Sequence, residues 1–185
     1  MVAPAVAAAE LEAWTPTDPA QRSLREALLA FVAARPEDAC SRSCAPGHLT
    51  ASALVLDATG EHTLLTLHPR VGLWIQLGGH CEPGDASLAD AALREATEES
   101  GIPGLVLEPG VLHVDVHPIT CSLGVPTRHL DVRFLVRAPG DAEPVISDES
   151  DDLRWWPLDA LPEGADTVPE MVAAARRRPA TAGRG

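Results

Sequence analysis

An α/β fold built on a mixed sheet covered on both faces, with an N-terminal helical extension, is predicted from three observations. Short apolar runs of strand length lie on both sides of one amphipathic helix at 88–100, a further helical pattern follows the last strand, and another precedes the first. The chain has 185 residues, 45% of them hydrophobic, which suffices for one domain with a proper core plus an appendage.

The opening Met-Val-Ala-Pro-Ala-Val-Ala-Ala-Ala lacks a positive start and soon meets Glu10 and Glu12, so it reads as a flexible Ala/Pro leader rather than a signal peptide. From Ser23 to Ala34, residues Leu24, Leu28, Leu29, Phe31 and Val32 fall at near-helical spacing, and Arg35-Pro36 ends that helix. Ala45-Pro46-Gly47 then punctuates the chain. Leader and amphipathic helix are therefore assigned to 1–46, the main domain to 47–180, and a flexible tail to 181–185.

After His48 the pattern changes to Thr50–Asp57 and His62–His68, joined through Thr59-Gly60, a hairpin signal. Trp74–Leu77 is a third strand running into a double glycine. Ser87 is placed as N-cap with Asp90 three residues on, so a helix should run from Leu88 and end at Gly101. At about 100° per residue, Ala89, Leu93, Ala96 and Ser100 form a stripe suited to packing on a sheet. Leu105–Leu107, Val111–Val116, Leu130–Arg137 and Trp155-Trp156 read as further strands, and Val168–Arg177 as the final helix.

The formal charge of −13 argues against nucleic acid and against an anionic membrane surface, both of which require a basic patch. No apolar run approaches the length of a membrane span. Cys40, Cys44, Cys81 and Cys121 lack zinc-ribbon or zinc-finger spacing and read as reduced thiols of a cytoplasmic protein. An acidic enzyme can still bind a phosphate ester if metal ions neutralise both partners, and homodimerisation is left open.

Glu95, Glu98 and Glu99 share a helix face, where like charges three and four apart repel by roughly 0.2–0.5 kcal/mol per pair and Arg94 offsets only part. A hard divalent cation with oxygen ligands would answer that repulsion. The glycine loop before the helix brings backbone atoms close to the same place.

Gly79, Asp85, Arg94-Glu95, Glu98-Glu99, Gly101 and Ile102 resemble the Nudix hydrolase signature, G-x5-E-x7-R-E-U-x-E-E-x-G-U with U bulky and aliphatic. Glu82 and Gly84 match its common extended form. Three departures stand out: eight residues rather than seven separate Asp85 from Arg94, Asp85 replaces Glu, and Ala96 is small for U. An insertion inside the helix would rotate later carboxylates by about 100°. Placed before Ser87 it spares the helix, and the longer loop returns the shorter Asp85 side chain to Arg94.

The resemblance implies a Nudix-type α/β/α sandwich from about Gly47 to Leu161 and a hydrolase that cleaves a diphosphate linkage in a nucleoside diphosphate joined to another moiety, using Mg²⁺ or Mn²⁺. It assigns metal binding to Glu95, Glu98, Glu99 and the Gly79 carbonyl, and orientation of the carboxylates to Arg94. Glu95, Glu98 and the loop residue Glu149 are alternative general bases. Two rivals share the fold. An isopentenyl-diphosphate isomerase would need a catalytic Cys, for which Cys81 is placed, and a non-catalytic ligand-sensing module would not need the intact carboxylates.

His80 and Glu82, inside the glycine loop, are expected to contact substrate or metal. His113, Asp115 and His117 alternate along one strand and face one way, with His129 and Asp131 similarly placed on a later one; this patch is the other candidate substrate-binding surface. His48 reads as a local structural residue.

Overall fold

The computed structural model describes residues 1–69, 72–120, 124–146 and 150–178. The tail assigned to 181–185, and Cys121 and Glu149, lie outside the described residues.

The leader is not loose. Pro4–Ala13 forms a helix, α1, with Pro4 in its first turn and Ala7 and Leu11, one turn apart, fully buried. Composition misled here because Ala, read as low complexity, is also the best helix former, and Pro is tolerated at a helix start. Helix α2 (Pro19–Ala34) begins four residues earlier than its apolar spacing suggests, because the Asp18 carboxylate accepts hydrogen bonds from the backbone N–H groups of Ala20 and Gln21.

The remaining elements are β1 (His48–Leu56), β2 (His62–His68), β3 (Leu73–Ile75), β4 (Leu77–His80), α3 (Leu88–Ser100), β5 (Val106–Leu107), β6 (His113–Thr120), β7 (Pro126–Arg137), β8 (Asp152–Pro157) and α4 (Val168–Arg177). The single strand expected at Trp74–Leu77 is thus two, which pair with different neighbours: β3 with β2 and β4 with β1.

The described strands form one mixed sheet. At its centre β1 and β7 run parallel and in register from His48 opposite His129 to Leu56 opposite Arg137, and the other pairings are antiparallel. Since side chains alternate along a strand, this register puts Ala51 and Ala53 with Val132 and Phe134 on one face. His48, Thr50 and Ser52 share the other with His129, Asp131 and Arg133.

Helices α1, α2 and α3 cover the first face through a continuous apolar cluster that includes Leu11, Leu28, Leu49, Ala51, Leu88, Ala92 and Phe134. The predicted stripe packs on the sheet, with Ala96 and Ser100 buried and Ala89 and Leu93 partly so, and Leu88, Ala91 and Ala92 widen it. Helix α2 also closes the free edge of β6: the Gln21 amide donates to the Val114 carbonyl at 3.0 Å and accepts the Val114 N–H at 2.8 Å. Helix α4 packs Val168, Met171 and Val172 against Leu54, Leu56, Leu65 and Leu135 at one end of the opposite face. The polar end of that face holds the His and Asp residues singled out above.

Candidate active site

Helix α3 starts and stops as its sequence dictates. Ser87 Oγ accepts the Asp90 N–H at 3.0 Å, and Gly101, at φ 64°, takes the left-handed conformation that ends a helix. The span from Leu88 to Ser100 is an unbroken α-helix. The extra residue therefore sits in the loop before Ser87, as predicted.

A second cap comes from far away in sequence. The Glu10 carboxylate on α1 accepts the N–H groups of Leu88 at 2.8 Å and Ala89 at 3.1 Å, satisfying two donors that the first turn of α3 leaves open. Nothing local announces this role: Glu10 is one acidic residue in an Ala-rich stretch, and the contact exists only once α1 has docked.

Arg94 organises the loop and the helix together. Its Nε donates to Asp85 Oδ1 at 2.9 Å and its Nη2 to Asp85 Oδ2 at 3.1 Å and to the His80 carbonyl at 2.9 Å. Its Nη1 reaches Glu98 Oε2 at 3.0 Å and Glu95 Oε1 at 3.1 Å. The shortened Asp85 thus takes both arms of the guanidinium fork, the geometry that Lys cannot supply. Burial pushes the Asp85 carboxyl up, but Arg94 and the Glu82 N–H, which donates at 2.6 Å, hold it below the usual range. Asp85, with Glu95 and Glu98, keeps Arg94 firmly protonated.

Glu95 lies against the glycine pair. A Cβ on Gly79 would come within 2.8 Å of Glu95 Oε1, so a larger residue there would push the Glu95 carboxylate aside. Glu99 Oε2 accepts the Gly78 N–H at 3.0 Å. Glu98, with its side chain 60% exposed, is the most open of the three. Glu95, Glu98 and Glu99 set three carboxylates, hard oxygen donors, along α3 beside the backbone of β4.

Across the sheet from these carboxylates lies the His/Asp face. Asp131, fully buried, accepts hydrogen bonds from Thr50 (3.0 Å), Ser52 (2.7 Å), Gln76 (3.2 Å) and Arg133 (2.9 Å). Burial alone would raise its pKa, yet Arg133 and the Ser52 hydroxyl bring it below the usual carboxylate range. Arg133 also reaches Asp115 at 3.1 Å, and Asp115 accepts from His117 Nδ1 at 2.7 Å. His113 is buried against Arg133. Of the predicted residues, His80, His113, Asp115 and His117 come together on this face, while Glu82 is exposed in the loop and contributes its backbone. Arg133 escaped the sequence reading because a cation inside an apolar strand pattern carries no motif; its alternation with Asp131 and His129 was the available signal.

The His48 reading needs correction. His48 is fully buried, and its Nε2 lies 3.1 Å from His80 Nε2. Its ring centroid is 5.0 Å from those of both His80 and His129. It is one corner of a triangle of imidazoles, the His80 and His129 centroids also being 5.0 Å apart, placed there by pairing with strands that sequence order does not reveal.

Cys81 does not offer the thiol of the isomerase rival. It is buried in the apolar cluster, and contact with Cys40, together with burial, pushes its thiol up. No described helix is long and apolar enough to cross a membrane.

A family model described as NUDIX domain matches residues 46–177. Among solved structures, a C. elegans Ap4A hydrolase in a binary complex is 19% identical over 69% of this chain and 94% of its own, with a TM-score of 0.55. A MutT NUDIX hydrolase from Burkholderia pseudomallei is 25% identical over 71% of this chain and 98% of its own, at 0.51. A UDP-X diphosphatase, 18% identical with a TM-score of 0.53, spans 91% of this chain and 90% of its own.

Proposed function

Since the chain belongs to the NUDIX domain family and is a Nudix pyrophosphohydrolase, we propose that it cleaves a diphosphate linkage in a nucleoside diphosphate joined to another moiety, using Mg²⁺ or Mn²⁺. The observation that carries this reading is the Arg94 hub, which ties Asp85, Glu95, Glu98 and the end of β4 into one unit.

The residues fit a divalent ion. Glu95, Glu98 and Glu99 supply carboxylate oxygens, and the bare Cα of Gly79 lets the Glu95 carboxylate close onto the strand. With the Gly79 carbonyl, these groups would hold the ion. Such an ion neutralises phosphoryl oxygens and eases deprotonation of the attacking water. The protein's own contribution is orientation: Arg94 fixes Glu95 and Glu98 before substrate arrives, so little reorganisation remains at the moment of reaction. Glu98, the most exposed, is best placed to take a proton from water approaching from solvent. Glu95 and Glu149 are the alternative bases.

The His80, His113, Asp115 and His117 face is proposed to receive the rest of the substrate, with Arg133 keeping Asp115 ionised and fixed. A hydrolysis panel of ADP-ribose, a sugar nucleotide, a dinucleoside polyphosphate and a modified nucleoside triphosphate tests the reading. Phosphate is counted with and without added phosphatase, in Mg²⁺ and in Mn²⁺. Turnover that requires a divalent ion and collapses in Glu98→Gln is the expected result; turnover unaffected by EDTA would refute it.

A further inference from the structure

The triangle of imidazoles lies on the far side of β4 from the carboxylates. His48, His80 and His129 come from β1, β4 and β7, and one nitrogen of each lies within 4.8 Å of the other two. Two are already in place, with Nε2 of His48 and His80 3.1 Å apart. An ion held tetrahedrally at about 2.0–2.1 Å from each nitrogen sets those nitrogens about 3.3 Å apart. His129 must then turn inward and the His48–His80 hydrogen bond must open.

His129 Nε2 is buried with no hydrogen-bond partner among the described residues. A buried polar atom left unpaired costs about 1–3 kcal/mol, and a bound ion would give His129 Nε2 a partner, while His48 Nδ1, orphaned likewise, would stay so.

We propose that His48, His80 and His129 bind a borderline-soft divalent transition-metal ion, Zn²⁺ in the first instance, at a centre distinct from the carboxylate site. Nitrogen donors select such ions over Mg²⁺, which takes oxygen. The fourth position falls to water or to His117, whose ring lies 5.5 Å from that of His129. His117 Nδ1 is engaged by Asp115 Oδ2 at 2.7 Å, which leaves Nε2 as a lone pair and orients the ring, the usual arrangement behind a metal-bound His. Arg42 now donates to His80 Nδ1 at 3.1 Å. On binding, the His80 proton moves from Nε2 to Nδ1 and Arg42 turns to solvent, so no proton leaves the protein. That contact is exposed and provides the entry path.

The test uses the metal alone on the full chain after EDTA treatment and dialysis. Co²⁺ is titrated in a large excess of Mg²⁺, which occupies oxygen sites, and is followed by visible absorption; Zn²⁺ affinity is then read by competition. One Co²⁺ per chain with an intense nitrogen-ligated spectrum is expected. His129→Gln and His80→Asn should each weaken binding about 10-fold or more, with Glu98→Gln unchanged. Should His129→Gln fail to fold by thermal melt, the partly exposed His80→Asn decides. Absence of binding under Mg²⁺, or binding that survives both His variants and is lost in Glu98→Gln, would overturn the site while leaving the hydrolase reading untouched.

Discussion

Gly79 and His80 are neighbours on β4, yet they face chemically opposite surroundings. On one side three carboxylates, a guanidinium and backbone make a hard, charged surface. On the other, three imidazoles sit over a buried Asp131–Arg133 pair. The acidic side is assembled almost entirely from one contiguous stretch, Gly78 to Glu99, so fixed spacing alone specifies it. The imidazole side draws on β1, β4, β6 and β7, and no spacing within any one of them specifies it. Sequence motifs report chemistry that a loop and a helix can complete by themselves, whereas a sheet face reports only through alternation.

The comparison is broken most directly at Glu98. Glu98→Gln should lower kcat by about 10²–10³-fold, on the scale of losing one preorganised charge stabiliser, with an unchanged melting profile because the side chain is largely solvated. Full turnover would remove the carboxylates from the chemistry.

Arg94→Lys sharpens the same side. It keeps the charge and loses the fork, so kcat should fall about 10²-fold through misplacement of Glu95 and Glu98. An activity within a few-fold of wild type would show that the hub is dispensable.

Asp85→Asn separates stability from chemistry. Asp85 has its folded pKa depressed, so it contributes stability above its unfolded pKa of about 3.9 that is lost as pH falls through the lower folded value. The variant should be less stable at pH 7 by about 1.5–3 kcal/mol, the range for a hydrogen bond to a charged group. In urea melts that gap should close below about pH 4, and a pH-independent gap would contradict the assignment.

The smallest effect is expected at Glu10. Glu10→Ala removes a cap worth about 0.5–2 kcal/mol, or about 2–4 °C of melting temperature per kcal/mol for a chain of this size. An unchanged melting temperature would mean that α1 adds nothing to α3.

Much of this was legible beforehand. The limits of β2 and α4 and the Ser87 and Gly101 ends of α3 follow from turn and cap chemistry that acts within a few residues. The loop position of the extra residue and the reach of Asp85 to Arg94 were legible for the same reason. What escaped depends on distance. Helix α1 has an apolar face only relative to the cluster it docks on, Glu10 gains its role 78 residues away, and His48 and Arg133 acquire partners only through strand order.

That dependence also sets a timetable. The β1–β7 pairing joins residues about 81 apart in sequence, and such distant contacts close slowly because loop entropy opposes them until late. During synthesis the whole Gly78–Gly101 stretch is made before the strand that pairs with β1. The triangle that includes His48 and His129 must await the last central strand. A chain stopped before Pro126 would display the whole hydrolase signature and still lack the parallel partner of β1, so the signature appears in the nascent protein well before the sheet that makes it useful.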